Sequence, residues 1–448
     1  MLLSNDNPTF WLIQKAFASS TGVTTDTRTA DAGKLFFALK GENFDGNQYA
    51  QQALNQGCIS AIIDDATIAK QLNDVILVDD VLIALQSLAR WHRRQWQCPV
   101  IGLTGSNGKT TTKELLKAVC ASRFPGVKAT RGNLNNEIGV PLTLLSAGDQ
   151  PDFVIVEMGA NAQGEIALLA EIAEPTHGVI TNIGRAHLEG FGGVKGVLKG
   201  KRELFDFFRN KPGTLTSDIS VFVNQNHSVL VEASDSIPRA FYGSQQHPPF
   251  VSEVHDDFNM SWVDLEGSLH GPMRCKVSGD HNFENMMTAA AVGLYFGVSA
   301  DACSDALSSY APDNNRSQWT KTERNQVLLD AYNANPSSME SALTFFEGVG
   351  KNATESKELV AILGDMGELG KYAENAHREV LELALEKGLN VITVGPLFHQ
   401  ATKNHPTVHS FMSTAELKAH LKQSPLSGHH VLLKGSRSIA LEEALGAL

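Results

Sequence analysis

The stretch Ile101-Gly102-Leu103-Thr104-Gly105-Ser106-Asn107-Gly108-Lys109-Thr110-Thr111-Thr112 decides how the chain is to be read. An apolar run, Val100–Thr104, enters a glycine-containing turn and leaves as the start of a predicted helix, Lys109–Ser122. A phosphate needs several donors aimed at it at once, and small residues let backbone N–H groups converge. The helix that follows adds its unsatisfied amides and the positive end of its dipole. Lys109 is placed to reach β/γ-phosphates and Thr110 to hold Mg²⁺. Gly105, Ser106, Asn107, Gly108 and Thr111 complete the predicted nucleotide cradle. The strict G-x-x-x-x-G-K-[ST] pattern fails, because its first glycine would fall on Leu103; what stands is the shorter G-x-x-G-K-T. The alternative reading is a plain strand–turn–helix corner.

Outward from this loop, strands and helices alternate. Phe153–Val156 and Gly178–Asn182 are predicted buried strands, which argues for a parallel sheet with helices on both faces. Residues 213–280 read instead as short β pieces, among them Ser220–Val223 and Arg239–Tyr242, before a helix at Asn282–Phe296. A second α/β alternation runs from Val327–Ala331 to His430–Lys434, with Asn335-Pro336 as a helix start. Before Cys98-Pro99 lies a mixed α/β region ending in a predicted helix, Val81–Gln97. The expected organisation is therefore α/β with three domains, at 1–98, 99–312 and 313–448. These are a mixed N-terminal domain, a central P-loop ATPase-like parallel sheet with a small β subregion, and a C-terminal open sheet.

The chain has 448 residues, 42% of them hydrophobic and 19% charged, as in ordinary globular proteins. A net charge of −12 argues against a general nucleic-acid binder but leaves room for a small polyanion in a local positive pocket. The five cysteines form no CxxC pair, so neither a disulfide framework nor a structural zinc site is expected. No signal peptide and no membrane span are predicted, and a cytoplasmic location is expected.

Four further residues bear on the chemistry: Glu157, His187, Lys199 and Lys201. Phe153-Val154-Ile155-Val156-Glu157 is an apolar strand ending in an acid, where phosphate-loop folds place a Mg²⁺ ligand; the alternative is a solvated strand-end carboxylate. His187 lies in a glycine-bounded loop after the third strand, where ligands collect, although a lone loop histidine is usually a surface residue. Lys199 and Lys201 sit on a predicted helix, Val194–Phe208, and side-chain physics alone prefers a solvated face for both.

TGSNGKTTTKE, GNLNNEIGVPLT, VIVEMGA, TNIGRAHLEGFG, KGKRELF, GDHNFENMMTAAA, DAYNANPSSM, LGDMGELG and VLLKGSRS together resemble the Mur ligases, over nearly the whole chain. YNANP, LGDMGELG and KGSR point to the branch that adds D-alanyl-D-alanine to UDP-N-acetylmuramoyl-tripeptide. The resemblance implies a first domain for the UDP end, a central ATP domain and a Rossmann-like last domain. It implies ATP and two Mg²⁺ ions. Thr110 and Glu157 would bind one ion and His187 the second. Lys201 would carry a carbamate that completes the catalytic set of Lys109, Glu157, His187 and Lys201. It further implies Asn282, Asn285 and Asp330 around the base and ribose, and Arg316 at the phosphates. Thr27 and Arg28 would lie near the uridine, Asn135 and Asn136 at the substrate. Lys434 and Arg437 are either anion contacts or a solvated strand end. Where many relatives have Gly-Arg, this chain has Asn314-Asn315-Arg316-Ser317. A monomer acting on small molecules is expected. The rivals are another muramyl or folyl ligase of the same fold and, from another class, a P-loop NTPase without an acceptor amine.

Overall fold

The computed structural model describes residues 2–210, 219–256, 258–312, 316–352 and 358–448. The expected boundary after residue 312 falls at the edge of these, and Asn314-Asn315 lie outside them.

The N-terminal region builds a four-stranded parallel sheet in the order Val23–Thr24, Leu35–Phe37, Ser60–Ile63, Val75–Leu77. Its last helix, Val81–Arg93, starts on Asp80, whose carboxylate accepts from the Ile83 amide at 2.9 Å. That helix packs on the central helices Gly139–Leu145 and Glu165–Ala173. Buried Arg93 donates to the carbonyls of Ala173 (3.1 Å) and Glu174 (2.9 Å). Arg90 and Arg94 hold the Glu174 carboxylate at 3.0 and 2.6 Å. The first region is thereby fastened to the back of the central one.

The central sheet has six parallel strands in the order Arg239–Tyr242, Val221–Asn224, His177–Ile180, Val100–Thr104, Phe153–Glu157, Val127–Ala129. This corrects the expectation for 213–280. Two of its predicted pieces extend the main sheet, because Val221, Phe222 and Val223 are buried on both faces, as a sandwiched parallel strand requires. Only Phe250–Asp256, Asn259–Val263 and Leu269–Arg274 form the separate antiparallel sheet. Residues 213–218 lie outside the described ones. The helices Lys109–Ala121 and Asp280–Tyr295 pack side by side on one face, burying Leu116, Val119, Ala289 and Ala290.

From Val100–Thr104 the chain runs to the edge strand Val127–Ala129, returns to Phe153–Glu157 between the two, and then crosses to His177–Ile180 on the other side. The phosphate loop thus opens at a topological switch point, where open α/β sheets bind ligands. The C-terminal sheet runs Gln318–Lys321, Gln326–Asp330, His430–Lys434, Leu359–Gly364, Asn390–Val394, His409–Phe411. It is parallel except for its first, antiparallel edge strand. Among the described residues no helix is long and apolar enough to cross a membrane.

Candidate active site

The loop owes its shape to two glycines. Gly105 has φ +148° and Gly108 φ +78°. A Cβ on Gly105 would lie 2.0 Å from Thr181 Oγ1, and one on Gly108 2.5 Å from Asn285 Oδ1. The third strand's loop then pins the turn. Ser106 N donates to Asn182 O and Asn107 N to Asn182 Oδ1, both at 3.0 Å, while Thr181 Oγ1 donates to Asn107 O at 2.6 Å. Two loop amides are therefore committed to protein. The first-turn amides of the Lys109–Ala121 helix precede its first closed turn, Thr112 N to Gly108 O at 2.8 Å, and are left for an anion. Lys109 Nζ donates to Gly105 O (2.7 Å) and Ser106 O (3.2 Å). Burial pushes Lys109 down to about 8, opposed by nearby Glu157 and reinforced by the positive Arg316.

In front of the loop lies a cavity of about 630 Å³. It gathers Ser106, Asn107, Gly108, Lys109, Thr110 and Thr111 with Asn135, Asn136 and Glu157. His187, Asn282 and Asn285 close it from the central domain, and Arg316, Asp330 and Lys434 reach in from the C-terminal one. Gly105 shapes the loop without lining the cavity. Thr27 and Arg28 sit elsewhere, on a turn of the first domain, where the exposed Arg28 pairs with Asp26 at 2.6 Å.

Glu157 is 1% exposed. Its Oε1 accepts from Thr110 Oγ1 (3.2 Å) and Asn135 Nδ2 (2.9 Å). Its Oε2 has no hydrogen-bond donor, and the nearest cation is Lys113 Nζ at 3.7 Å. A buried carboxylate oxygen without a donor, beside a hydroxyl and a phosphate loop, fits a hard divalent cation. Among the described residues no cluster of three or more His, Cys, Asp or Glu could hold a metal. Such a cation would draw its other ligands from phosphate oxygens and water, as Mg²⁺ usually does.

His187 is not a plain surface residue. It holds φ +51°, and its Nδ1 lies 2.5 Å from Glu368 Oε2, a C-terminal residue. That contact holds the Glu368 carboxyl below its ordinary value. Lys199 is exposed as expected, but the solvated reading fails for Lys201. Lys201 falls on the helix's buried stripe with Val197, Leu204, Phe205 and Phe208, and is fully buried. Its Nζ donates to Ala160 O at 3.3 Å and lies 5.0 Å from the Phe191 ring centroid. Burial, with Lys109 adding repulsion, holds its amine well below 10.5. Lys201 sits behind the wall formed by Ala160 and Glu165.

The solvated reading also fails for Lys434, which is 2% exposed and donates to Asp330 Oδ2 at 2.5 Å. Burial alone would raise the Asp330 carboxyl; Lys434 and the Ser317 amide turn the net shift downward. Arg437 stays on the surface, paired with Glu442. The Arg316 guanidinium stacks 3.9 Å from the Tyr332 ring centroid. Asn282 Nδ2 donates to Ser278 O, and Asn285 Oδ1 accepts from Thr112 Oγ1. Sequence reasoning missed Lys113, His281 and Glu368. Lys113 had one signal, its place a helical turn beyond Lys109.

A lysine-bearing loop at the switch point of a parallel sheet, capped by a second α/β domain, defines a P-loop nucleotide enzyme. Three domain profiles match in order: the Mur ligase family catalytic domain over residues 19–93, the Mur ligase middle domain over 103–293, and the Mur ligase glutamate ligase domain over 315–437. The chain belongs to the Mur ligase family. It is 34% identical to the UDP-N-acetylmuramoyl-tripeptide–D-alanyl-D-alanine ligase of Bacillus subtilis, over 94% of this chain and 92% of that one. The protein of the same name in Escherichia coli is also 34% identical, with 97% and 95% covered. A crystal structure of MurF from Acinetobacter baumannii superposes with a TM-score of 0.83 at 29% identity, covering 97% of each chain. MurF of Thermotoga maritima, in complex with ADP, shares the fold at a TM-score of 0.83 and 23% identity, covering 96% of this chain and 97% of that one.

Proposed function

We propose that the protein is an ATP-dependent ligase joining the terminal carboxylate of UDP-N-acetylmuramoyl-tripeptide to the amine of D-alanyl-D-alanine, in peptidoglycan precursor synthesis. The observation that carries this is near-full-length similarity to ligases of that name, together with a cavity that faces Lys109 and Glu157 with Arg316 and Asp330. Both UDP-linked precursor and ATP belong to cytoplasmic pools, where the enzyme acts.

A carboxylate resists amide formation because its leaving group would be oxide. Transfer of the γ-phosphoryl of ATP onto it gives an acyl phosphate and ADP. The dipeptide amine then attacks the acyl carbon, and phosphate leaves. The protein's task is to align two anions that repel each other and to counter charge on the phosphoryl oxygens. Lys109 gives up its carbonyl partners for those oxygens, and Arg316 approaches them from the C-terminal domain. Thr110 and Glu157 would hold one Mg²⁺, and His187 with a carbamylated Lys201 a second; Mg²⁺, when bound, withdraws charge from the transferring group. A bare amine does not suit Mg²⁺, so Lys201 fits only in modified form. Its burial favours the neutral amine that adds to CO₂, forming an N–C bond and releasing a proton.

Residues 1–98 hold the UDP end, with Thr27 and Arg28 near the uridine, and 99–312 bind ATP, with Asn282 and Asn285 near the base and ribose. Residues 313–448 present the dipeptide. Asn135 orients Glu157 as well as contacting substrate, beside Asn136. Phosphate release measured across a panel of amines and UDP-linked peptides tests the reading. Turnover is expected only with D-alanyl-D-alanine and a tripeptide substrate. ATP turnover without any amine, or with a single amino acid instead, overturns it.

A further inference from the structure

Lys113 lies on the phosphate-loop helix, one turn beyond Lys109, with no exposed surface. A lysine without solvent is rare and costly unless its charge is matched. Here the matching groups stand on opposite sides. Nζ donates to Thr130 O at 2.7 Å and pairs with Glu114 Oε1 at 2.9 Å, while Glu157 Oε2 is 3.7 Å away. Glu114 and Thr130 line a second cavity of about 310 Å³, with Lys117 and Arg131 at its edge. Glu157 lines the nucleotide cavity. The ammonium therefore forms a partition between the two spaces. Thr130 reinforces it, because its Oγ1 accepts from the Glu157 amide at 3.0 Å.

We propose that Lys113 is a positioning residue that sets the affinity of Glu157 for its divalent cation, with Glu114 as the counterweight that limits how strongly Lys113 acts. The proposal rests on Glu157 being the metal carboxylate. Oε1 is held by Thr110 and Asn135, so the carboxylate cannot turn away from Lys113 without losing both. A fixed ammonium 3.7 Å from Oε2, the oxygen left for the cation, reduces the negative potential a cation meets there. It thereby favours cation binding only when phosphate oxygens arrive to restore that potential. Glu114 draws on the same ammonium from the other cavity and offsets part of its charge.

The two residues have opposite signs, which a merely structural lysine would not show. Lys113→Gln keeps a donor for Thr130 but removes the charge. A unit charge several ångströms from a divalent ion in a water-like dielectric is worth roughly tenfold in its binding. Binding of Mn²⁺, followed by electron paramagnetic resonance with a non-hydrolysable ATP analogue, should tighten by about that factor in Lys113→Gln. It should return toward wild type in Lys113→Arg and weaken in Glu114→Gln. Unchanged or weaker Mn²⁺ binding in folded Lys113→Gln overturns the proposal. If that variant does not fold, Glu114→Gln decides alone, since its side chain is partly exposed and its loss leaves Lys113 in place. Unaltered affinity there also overturns the proposal. Glu157→Gln separates the two levels: if it leaves Mn²⁺ binding intact, the metal reading of Glu157 itself fails.

Discussion

Asn335 of the C-terminal domain donates its side-chain amide to Asn107 Oδ1 at 2.8 Å, so that domain grips the phosphate loop directly. Nearby, Arg185 N donates to Ser337 Oγ at 2.8 Å, and Arg185 Nη1 meets Glu379 at 2.7 Å. Asn335 also caps the helix Pro336–Asn352 by accepting from Ser338 N at 2.9 Å. Its two roles can be separated. Serine caps a helix well but is too short to reach Asn107. Loss of one hydrogen bond, worth about 1 kcal/mol, should raise KM for ATP roughly fivefold in Asn335→Ser. Thermal unfolding should move little. A wild-type KM would show that the grip contributes nothing to nucleotide binding.

Lys109 makes nucleotide capture pH-dependent. Burial holds its folded value at about 8, so the free enzyme carries the ammonium below that pH and a neutral amine above it. Only the ammonium attracts phosphate. The pH profile of kcat/KM for ATP reports groups of the free enzyme, and it should fall as pH rises through about 8. Lys109→Arg should move that limb out of range, at lower overall activity, because a guanidinium stays charged. An alkaline limb that persists unchanged in Lys109→Arg would assign it to another group.

Lys201 ties stability to pH in a calculable direction. Its folded amine lies well below the 10.5 of the unfolded chain. Between those values the unfolded chain binds the extra proton, so stability rises with pH and is lost as pH falls toward the lowered value. In CO₂-free buffer, the urea midpoint of wild type should rise with pH up to the unfolded value of 10.5, and Lys201→Met should flatten that rise. The same variant should lose nearly all ligase activity. With isotope-labelled bicarbonate, a carbamate resonance is expected in wild type and not in Lys201→Met. An active Lys201→Met enzyme would remove the catalytic role of the carbamate, and no resonance in wild type would remove the carbamate itself.

The legible parts of this fold are those whose signal is local. His430–Lys434 is a short, largely apolar run after the turn residues Ser427-Gly428, and the structure reproduces it residue for residue. The phosphate loop was legible because its glycines, lysine and threonine are contiguous. What was hidden depends on partners distant in the chain. Lys201 and Lys434 look like solvated lysines until Ala160 and Asp330 are brought beside them. Val221–Asn224 looks like one β piece among several, since a strand does not state which sheet it joins. His187 and Glu368 meet only because two domains close on each other, and no spacing within either segment announces that contact.

Gly108 provides the sharpest test of the loop's geometry. Its φ of +78° lies in the left-handed region, which costs an L-residue roughly 1–2 kcal/mol. An added Cβ would also stand 2.5 Å from Asn285 Oδ1. Asn285 has little room to yield, because its Oδ1 accepts from Thr112 Oγ1 at 3.1 Å and its Nδ2 donates to Asn282 Oδ1 at 3.3 Å. Relief must then come from the loop, which moves the first-turn amides away from the phosphates. Gly108→Ala should weaken ATP binding by at least about tenfold, since 1.4 kcal/mol corresponds to that factor. Thr112→Val serves as the control. It removes the Thr112–Asn285 hydrogen bond without adding an atom at residue 108, and should cost less. Isothermal titration with a non-hydrolysable ATP analogue measures both. Equal losses would mean that Asn285 matters only as a partner of Thr112, whereas wild-type affinity in Gly108→Ala would show that the loop does not need the left-handed turn.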